Sequence, residues 1–168
     1  MKRSLPLRHA LALAALFACS VPASAQPLIG QQPTLTGTGA RALVDACLAH
    51  ARRNNLHVGI AVVDPYGNLL DYHTMEGTNV IAGESAVLKA KTAVRWWRST
   101  TELNERVVKQ ENVAPVWIGD FPQTGGVPIF MNGVIVGGMG IGGGRGDECA
   151  KVAVRSVLQG ATTDPPAP

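Results

Sequence analysis

The 168-residue sequence lacks several features that would assign it to a class of protein at once. No run of its residues approaches the roughly 18 apolar residues that a membrane-spanning helix needs. It contains neither the G-x-S-x-G motif of an α/β-hydrolase nucleophile nor the H-E-x-x-H motif of a zinc protease. Its cysteines and histidines do not stand at the spacing of a structural zinc site. These absences disfavour an integral membrane protein, a hydrolase of either kind and a zinc-stabilised domain.

The first 25 residues have the three parts of a secretory signal peptide. A basic start, an apolar core and a small-residue cleavage site follow one another at 1–8, 10–18 and 23–25. We therefore predict a protein that acts in the periplasm or outside the cell. A lipid anchor at Cys19 is the alternative, because the residues before it loosely resemble a lipoprotein cleavage box.

Cleavage after residue 25 would change the charge of the chain. It would remove three of the 15 basic residues and none of the 12 acidic ones, so that the formal net charge falls from +3 to zero. The basic character therefore gives no argument for nucleic acid or an anionic membrane as a partner. The neutral remainder suits a small ligand of weak or mixed charge. It is also long enough for one domain with one hydrophobic core.

The periodicity of apolar residues predicts one domain at 36–160 between a disordered leader at 26–35 and a disordered tail at 161–168. Helices alternate with two hairpins in the order α-β-β-α-α-β-β-α, which indicates an α+β fold with an antiparallel sheet flanked by helices. The second helix is expected to turn Ala86, Ala90 and Trp97 towards the core. The predicted helices span 39–53, 81–98, 99–109 and 147–158, and the predicted strands span 58–63, 69–75, 127–131 and 134–141.

Start and turn signals support these bounds. Thr36 or Thr38 precedes the first helix, and Ser99 precedes the third in the S-x-x-E pattern of a capping box. The pair Asn132-Gly133 is typical of a tight hairpin turn.

Gly138, Gly140 and Gly143 form a G-x-G-x-x-G pattern, but they do not predict a nucleotide site. A dinucleotide-binding unit needs a second parallel strand after the helix, and here the chain ends first. Asp147 and Glu148 follow the glycines and are more simply charges at a helix start than ligands for a metal.

Cys47 and Cys149 would remain after cleavage. They could form one disulfide in an oxidising compartment, or they could be two small buried residues. The sequence leaves both alternatives open because it does not set their distance.

Five blocks of the sequence occur in a distinctive order: Ile60 to Leu69, Ala86 to Ala93, Gly125 to Ile129, Gly133 to Gly143 and Asp147 to Ala150. In this order and spacing the chain resembles the GlcG/HbpS-like family of small α+β proteins, some of which bind haem. The resemblance implies a profilin-like sandwich and a homo-oligomer that can be an octamer. It also implies an iron contact at Thr100, although Ser99 stands where the family often has proline.

Haem iron is usually held by His, Met, Cys or Tyr. Of the histidines at 50, 57 and 73, we rank His73 first, because strand alternation puts it on the same face as Met75. Glu102 and Glu105 could hold iron at a surface, but a solvated helix face explains them more simply. The predicted haem-binding set, with His73 and Thr100 as the iron contacts, is His73, Met75, Trp97, Thr100, Trp117, Phe121, Gly126 and Pro128.

These observations favour a secreted haem-binding protein that sequesters, transports or senses haem. Its pocket is expected between the second helix, the loop from Trp117 to Pro128 and the last strand. The first alternative is an enzyme or accessory protein acting on a small oxygenated metabolite such as glycolate, as the family resemblance suggests. The second is an oligomeric scaffold without a ligand.

Overall fold

The computed structural model of the protein describes residues 30–144 and 146–167. The predicted signal peptide, Cys19 and the first four residues of the predicted leader lie outside the described residues. None of the helices in these two ranges has the length and hydrophobicity of a membrane-spanning segment.

The described residues form an α+β fold with five helices and five strands. The predicted order of elements is confirmed, with two short additions. A four-residue helix, α4, lies in the predicted loop, and a two-residue strand, β5, lies in the predicted tail. In chain order the elements are α1 (Gly37–Arg53), β1 (Gly59–Val63), β2 (Leu69–Thr74), α2 (Val80–Trp96), α3 (Thr100–Val108), α4 (Ala114–Trp117), β3 (Gly126–Met131), β4 (Val134–Gly142), α5 (Glu148–Val157) and β5 (Ala161–Thr162).

The strands form one antiparallel sheet in the order β2-β1-β4-β3-β5. The two predicted hairpins are therefore present, and the pairing of β1 with β4 joins them into one sheet. Asn132 and Gly133 have φ angles of 51° and 77°. A hairpin turn with positive φ at both central residues matches the twist of its strands, which is why Asn-Gly is favoured there.

Polar side chains cap the N-termini of α1, α2 and α3. Thr36 caps α1 by accepting a hydrogen bond from the Gly39 N–H, and Asn79 caps α2 in the same way. The Ser99 side chain accepts from the Glu102 N–H, as the capping box predicts. Each such cap satisfies a backbone N–H that the helix itself leaves without a partner.

The end of α2 differs from the sequence prediction. Trp97 takes a left-handed conformation with φ 54° and ends the helix, so it leaves the face that the preceding turns bury. Its side chain is about half exposed instead of buried. The prediction that Trp97 faces inward was therefore wrong, whereas Ala86 and Ala90 are fully buried as expected.

The helices cover the two sides of the sheet unequally. On the first side, the α1 face, α1 and α5 enclose the larger core, and Cys47 and Cys149 form a disulfide between these two helices. On the second side, the α2 face, α2 packs against a smaller core that contains Phe130. The structure thus decides the open question of the two cysteines in favour of the bond.

Both ends of the predicted domain extend slightly further than expected. Leu35 is buried, and its N–H donates to the Val136 carbonyl, so the last residue of the predicted leader belongs to the fold. Ala161 and Thr162 pair with the end of β3 as strand β5. The sheet therefore includes the first two residues of the predicted tail.

Candidate functional site

A surface groove of about 540 Å³ lies beside the C-terminal turn of α1 and the end of the edge strand β2. Its volume is within the range of roughly 300–1,000 Å³ that small-molecule sites occupy. Its lining combines imidazole, thioether, carboxylate and guanidinium groups. The residues that line it are Arg52, His57, His73, Thr74, Met75 and Glu76.

Strand pairing brings His73 and Met75 to this groove. His73 is opposite Ile60 in the register of β1 and β2, and the Met75 N–H donates to the Val58 carbonyl. Ile60 and Val58 belong to the core of the α1 face, and Met75 packs against that core. The prediction that His73 and Met75 share one face is therefore confirmed.

Asp71 lies on the same face but is already paired. Its carboxylate is 2.9 Å from Arg41 Nε on helix α1, and its side chain is only 9% exposed. This ion pair holds the edge strand against the helix. It also leaves the groove without the charge of Asp71, so that Glu76 is the acidic side chain of its lining.

His57 enters the groove from the segment that leads into β1. Its Nδ1 is 2.9 Å from the Glu76 carbonyl oxygen, in the turn that follows β2. The Glu76-Gly77 turn needs a glycine, because Gly77 has a φ of 77° and a Cβ there would lie 3.3 Å from His57 Nδ1. The alternation of β2 could not reveal this contact, since it depends on where the turn returns to the start of β1.

Arg52 supplies the positive charge of the groove. It belongs to the last turn of α1, and its side chain is exposed. The sequence analysis did not select Arg52, because its position on the helix indicates only an outward face. A guanidinium group in a groove is well suited to a carboxylate, with which it can form two parallel hydrogen bonds.

Thr100 lies on the other side of the sheet and is fully buried. Its hydroxyl accepts from the Gly126 N–H at 2.7 Å and faces the Gly126 carbonyl oxygen at 3.4 Å. A Cβ on Gly126 would overlap α2 and Thr100, which places both residues on the α2 face. The structure therefore does not bring Thr100 together with His73, and the Thr100 hydroxyl is already used in joining α3 to β3.

The sequence placed the pocket between α2, the loop from Trp117 to Pro128 (the aromatic loop) and β4, but α2 and β4 pack directly against each other. A Cβ added at Gly138 would lie 2.6 Å from Val94 Cγ1, and one added at Gly140 would overlap the Ala86 carbonyl. The backbones of α2 and β4 are thus in direct contact. There is no space for a flat ligand between them.

The remaining residues of the predicted set are spread around this closed face. Trp97 lies edge-on to Phe130 with ring centroids 6.3 Å apart. Trp117 is 84% exposed on α4. Phe121 is partly buried, and its N–H donates a hydrogen bond to the Thr92 hydroxyl. Gly126 and Pro128 are buried in β3. None of these residues lines the groove at β2.

Asp120 holds the aromatic loop to α2. Its carboxylate accepts from Arg95 at 2.9 Å and from the Trp96 indole at 2.7 Å. Both donors are on the last turn and a half of α2. The loop is thus attached by polar contacts while its apolar side chains at 116–118 remain exposed.

The other polar candidates have ordinary structural partners. His50 is buried beside Asn54, and Asp147 pairs with Lys151 in the first turns of α5. Glu102 pairs with Arg98 one turn earlier in the chain. Across residues 30–144 and 146–167, no three His, Cys, Asp or Glu side chains converge as a metal site would require.

Lys89 is a buried cation that the sequence analysis did not select. It is 6% exposed, and its Nζ donates to the Ile141 carbonyl at 3.1 Å. No ion pair involves it within the described part of the chain. Burial therefore lowers the pKa of Lys89 below its usual value, because a desolvated ammonium group is disfavoured.

Comparison with known proteins identifies a family that matches most of the chain. Residues 35–157 match the family described as "Haem degrading protein HbpS-like". The protein GlcG of Escherichia coli K12 is 34% identical over 105 residues, which cover 61% of this chain and 76% of GlcG.

Two solved structures have the same fold. The crystal structure of HbpS superposes with a TM-score of 0.71 at 29% identity, over 77% of this chain and 94% of HbpS. A crystal structure of a PduOC:heme complex also has a TM-score of 0.71, at 23% identity, over 78% of this chain and 99% of PduOC. At that identity the second likeness shows the fold.

Proposed function

Since the chain belongs to the HbpS-like family, we propose that it binds haem, and that the groove beside α1 and β2 is the binding site. The family is described by its relation to haem. The single observation that carries the choice of site is the meeting of imidazole and thioether side chains in one groove. These are the side chains from which proteins most often ligate haem iron.

The lining of the groove fits the chemistry of haem in three respects. Its histidines offer nitrogen ligands for iron, and the Met75 side chain offers a soft, apolar contact. Arg52 can pair with a propionate carboxylate. Bound haem would supply an iron centre able to take a further ligand, while the protein residues hold and orient the macrocycle.

The same proposal extends to where the protein acts. The predicted signal peptide at 1–25 supports a role in the periplasm or outside the cell, in sequestering, transporting or sensing haem. The disulfide between Cys47 and Cys149 is consistent with an oxidising compartment. A lipid anchor at Cys19 remains the alternative, and we expect a homo-oligomer on the grounds of the family resemblance.

A titration with ferric haem tests the proposal. The chain without residues 1–25 is purified, and haem is added while the Soret absorption is followed. We expect a shifted, saturable Soret band with one haem per chain, and we expect weaker binding when Arg52 and Met75 are replaced together by Gln and Ala. A titration that shows only the spectrum of free haem would refute the function.

Thr100→Val is the matched variant on the opposite face. It removes one hydroxyl with little change in shape, and it leaves the buried Gly126 N–H without its acceptor. We expect the unfolding free energy to fall by about 1–3 kcal/mol and the affinity for haem to stay unchanged. Loss of haem binding in a folded Thr100→Val protein would move the site to the α2 face.

A second candidate ligand follows from Arg52 and from the family resemblance. A small hydroxy acid such as glycolate could use the same guanidinium group through its carboxylate. Adding glycolate to the haem titration separates the two. Competition at millimolar glycolate would favour a small acid as the ligand, whereas an unchanged titration favours haem.

A further inference from the structure

We infer that His57 is the residue that ligates the iron in this groove, and that the Glu76-Gly77 turn positions its ring for that role. The inference rests on the proposed function, because it concerns the same groove. It differs from the ranking that strand alternation gives, which puts His73 first. The two histidines are distinguished by their hydrogen bonds.

The contact between His57 and Glu76 determines which ring nitrogen is available. Its partner atom at 2.9 Å is a backbone carbonyl oxygen, which can only accept a hydrogen bond. Nδ1 therefore carries the hydrogen, and the neutral ring keeps its lone pair on Nε2. An imidazole that ligates a metal through one nitrogen usually donates its other N–H to a carbonyl or carboxylate. His57 already has this arrangement.

The turn also restrains the orientation of the ring. Gly77 has a positive φ, and a side chain at this position would crowd His57 Nδ1 at 3.3 Å and its Cε1 at 3.6 Å. The turn backbone thus stands directly behind the ring. Because the ring is held on its Nδ1 side, its Nε2 side is the one left for a ligand in the groove.

His73 has no comparable support. Among the residues that the structure describes, no side chain or backbone group forms a hydrogen bond with its ring. Neither of its tautomers is selected, and its orientation is not fixed by a partner. His73 and Met75 are then residues that line the groove and help to retain the macrocycle.

The test compares the haem complexes of His57→Ala and His73→Ala in the chain without residues 1–25. His57 is exposed, so its replacement should leave the fold intact, which circular dichroism checks. We expect His57→Ala to lose the absorption and electron paramagnetic resonance signature of an imidazole-ligated iron, and to bind haem more than about tenfold more weakly. Free imidazole added to His57→Ala should restore that signature.

His73→Ala is expected to keep the imidazole signature and to lose affinity only modestly. The variant Gly77→Ala tests the turn, since it should alter the signature while His57 is still present. An unchanged spectrum in His57→Ala together with a lost one in His73→Ala would overturn the assignment and leave haem binding in place. Failure of the unaltered protein to bind haem would instead refute the proposed function itself.

Discussion

The two faces of the sheet are built in different ways. On the α2 face, helix and strand touch through backbone, because Gly138, Gly140 and Gly142 present no side chains to the helix. On the α1 face, side chains such as Leu43 and Met139 separate the layers and fill a larger core. Layers held apart by side chains can leave space at an edge, whereas layers in backbone contact leave none. The groove accordingly opens on the side where side chains set the spacing.

Strand β4 contributes residues to both faces of the sheet. The even-numbered positions of β4 from 138 to 142 carry the glycines that face α2, and the odd-numbered positions include Met139 and Ile141, which face α1. Alternation of side chains along a strand is what allows this division. The glycine-rich motif thus has a packing role, and its resemblance to a nucleotide-binding loop is incidental.

The largest expected effect concerns the covalent link on the α1 face. Replacing Cys47 and Cys149 together by Ala should lower the unfolding free energy by about 4 kcal/mol, because the bond closes a long loop in the unfolded chain. Its ends are 102 residues apart in sequence. Urea unfolding of the variant and of the oxidised protein gives the difference. A loss below about 1 kcal/mol would mean that packing of α1 on α5 suffices without the bond.

The next effect tests the close contact of the α2 face. Gly140→Ala should destabilise the protein by about 2–3 kcal/mol, since the added Cβ would overlap the backbone of α2 and force the layers apart. Thermal and urea unfolding measure the change.

Gly37→Ala provides the control for this substitution. Nothing lies within 4 Å of a Cβ at Gly37, and the residue is in the first turn of α1. We expect a neutral or slightly stabilising effect there, because alanine loses less backbone entropy in a helix. Equal effects of the two substitutions would contradict the contrast between crowded and open positions.

The smallest effect concerns Lys89 and pH. The pKa of Lys89 is lowered in the folded state, so the unfolded state binds more protons between the folded and unfolded pKa values. Stability from this group should therefore rise with pH towards the unfolded pKa. We expect the difference in unfolding free energy between the unaltered protein and Lys89→Met to shift in favour of the unaltered protein as the pH rises from 7 towards the ordinary lysine pKa of 10.5.

Lys91→Met is the matched control, because Lys91 is an exposed lysine on the same helix. It should show no such trend with pH. A Lys89→Met difference that is constant over this range would mean that the ammonium group is not desolvated in solution.

The sequence correctly predicted those parts of the structure that depend on residues close together in the chain. The caps at Thr36 and Ser99 and the turn at Asn132-Gly133 follow from hydrogen bonds and φ preferences within three or four residues. The shared face of His73 and Met75 follows from strand alternation alone. Trp97 was misplaced because periodicity continues through a residue that in fact ends the helix in a left-handed conformation.

The candidate site was only partly accessible to such reasoning. His73 and Met75 were found, but His57 and Arg52 come from the segment before β1 and from the end of α1, which meet β2 only when the sheet forms. Thr100 was selected through the family resemblance. The neighbouring sequence does not show that its hydroxyl accepts a hydrogen bond from the Gly126 N–H, 26 residues away.

The longer helices and strands, their order, the hairpin turns and the family follow from the sequence alone, since these rest on local backbone preferences and on side-chain periodicity. Tertiary structure alone decided the disulfide, because α1 packing on α5 sets the Cα atoms of Cys47 and Cys149 5.3 Å apart. It also decided which face is closed and where the groove lies. These depend on distances between residues far apart in the chain, which only the packing of layers sets.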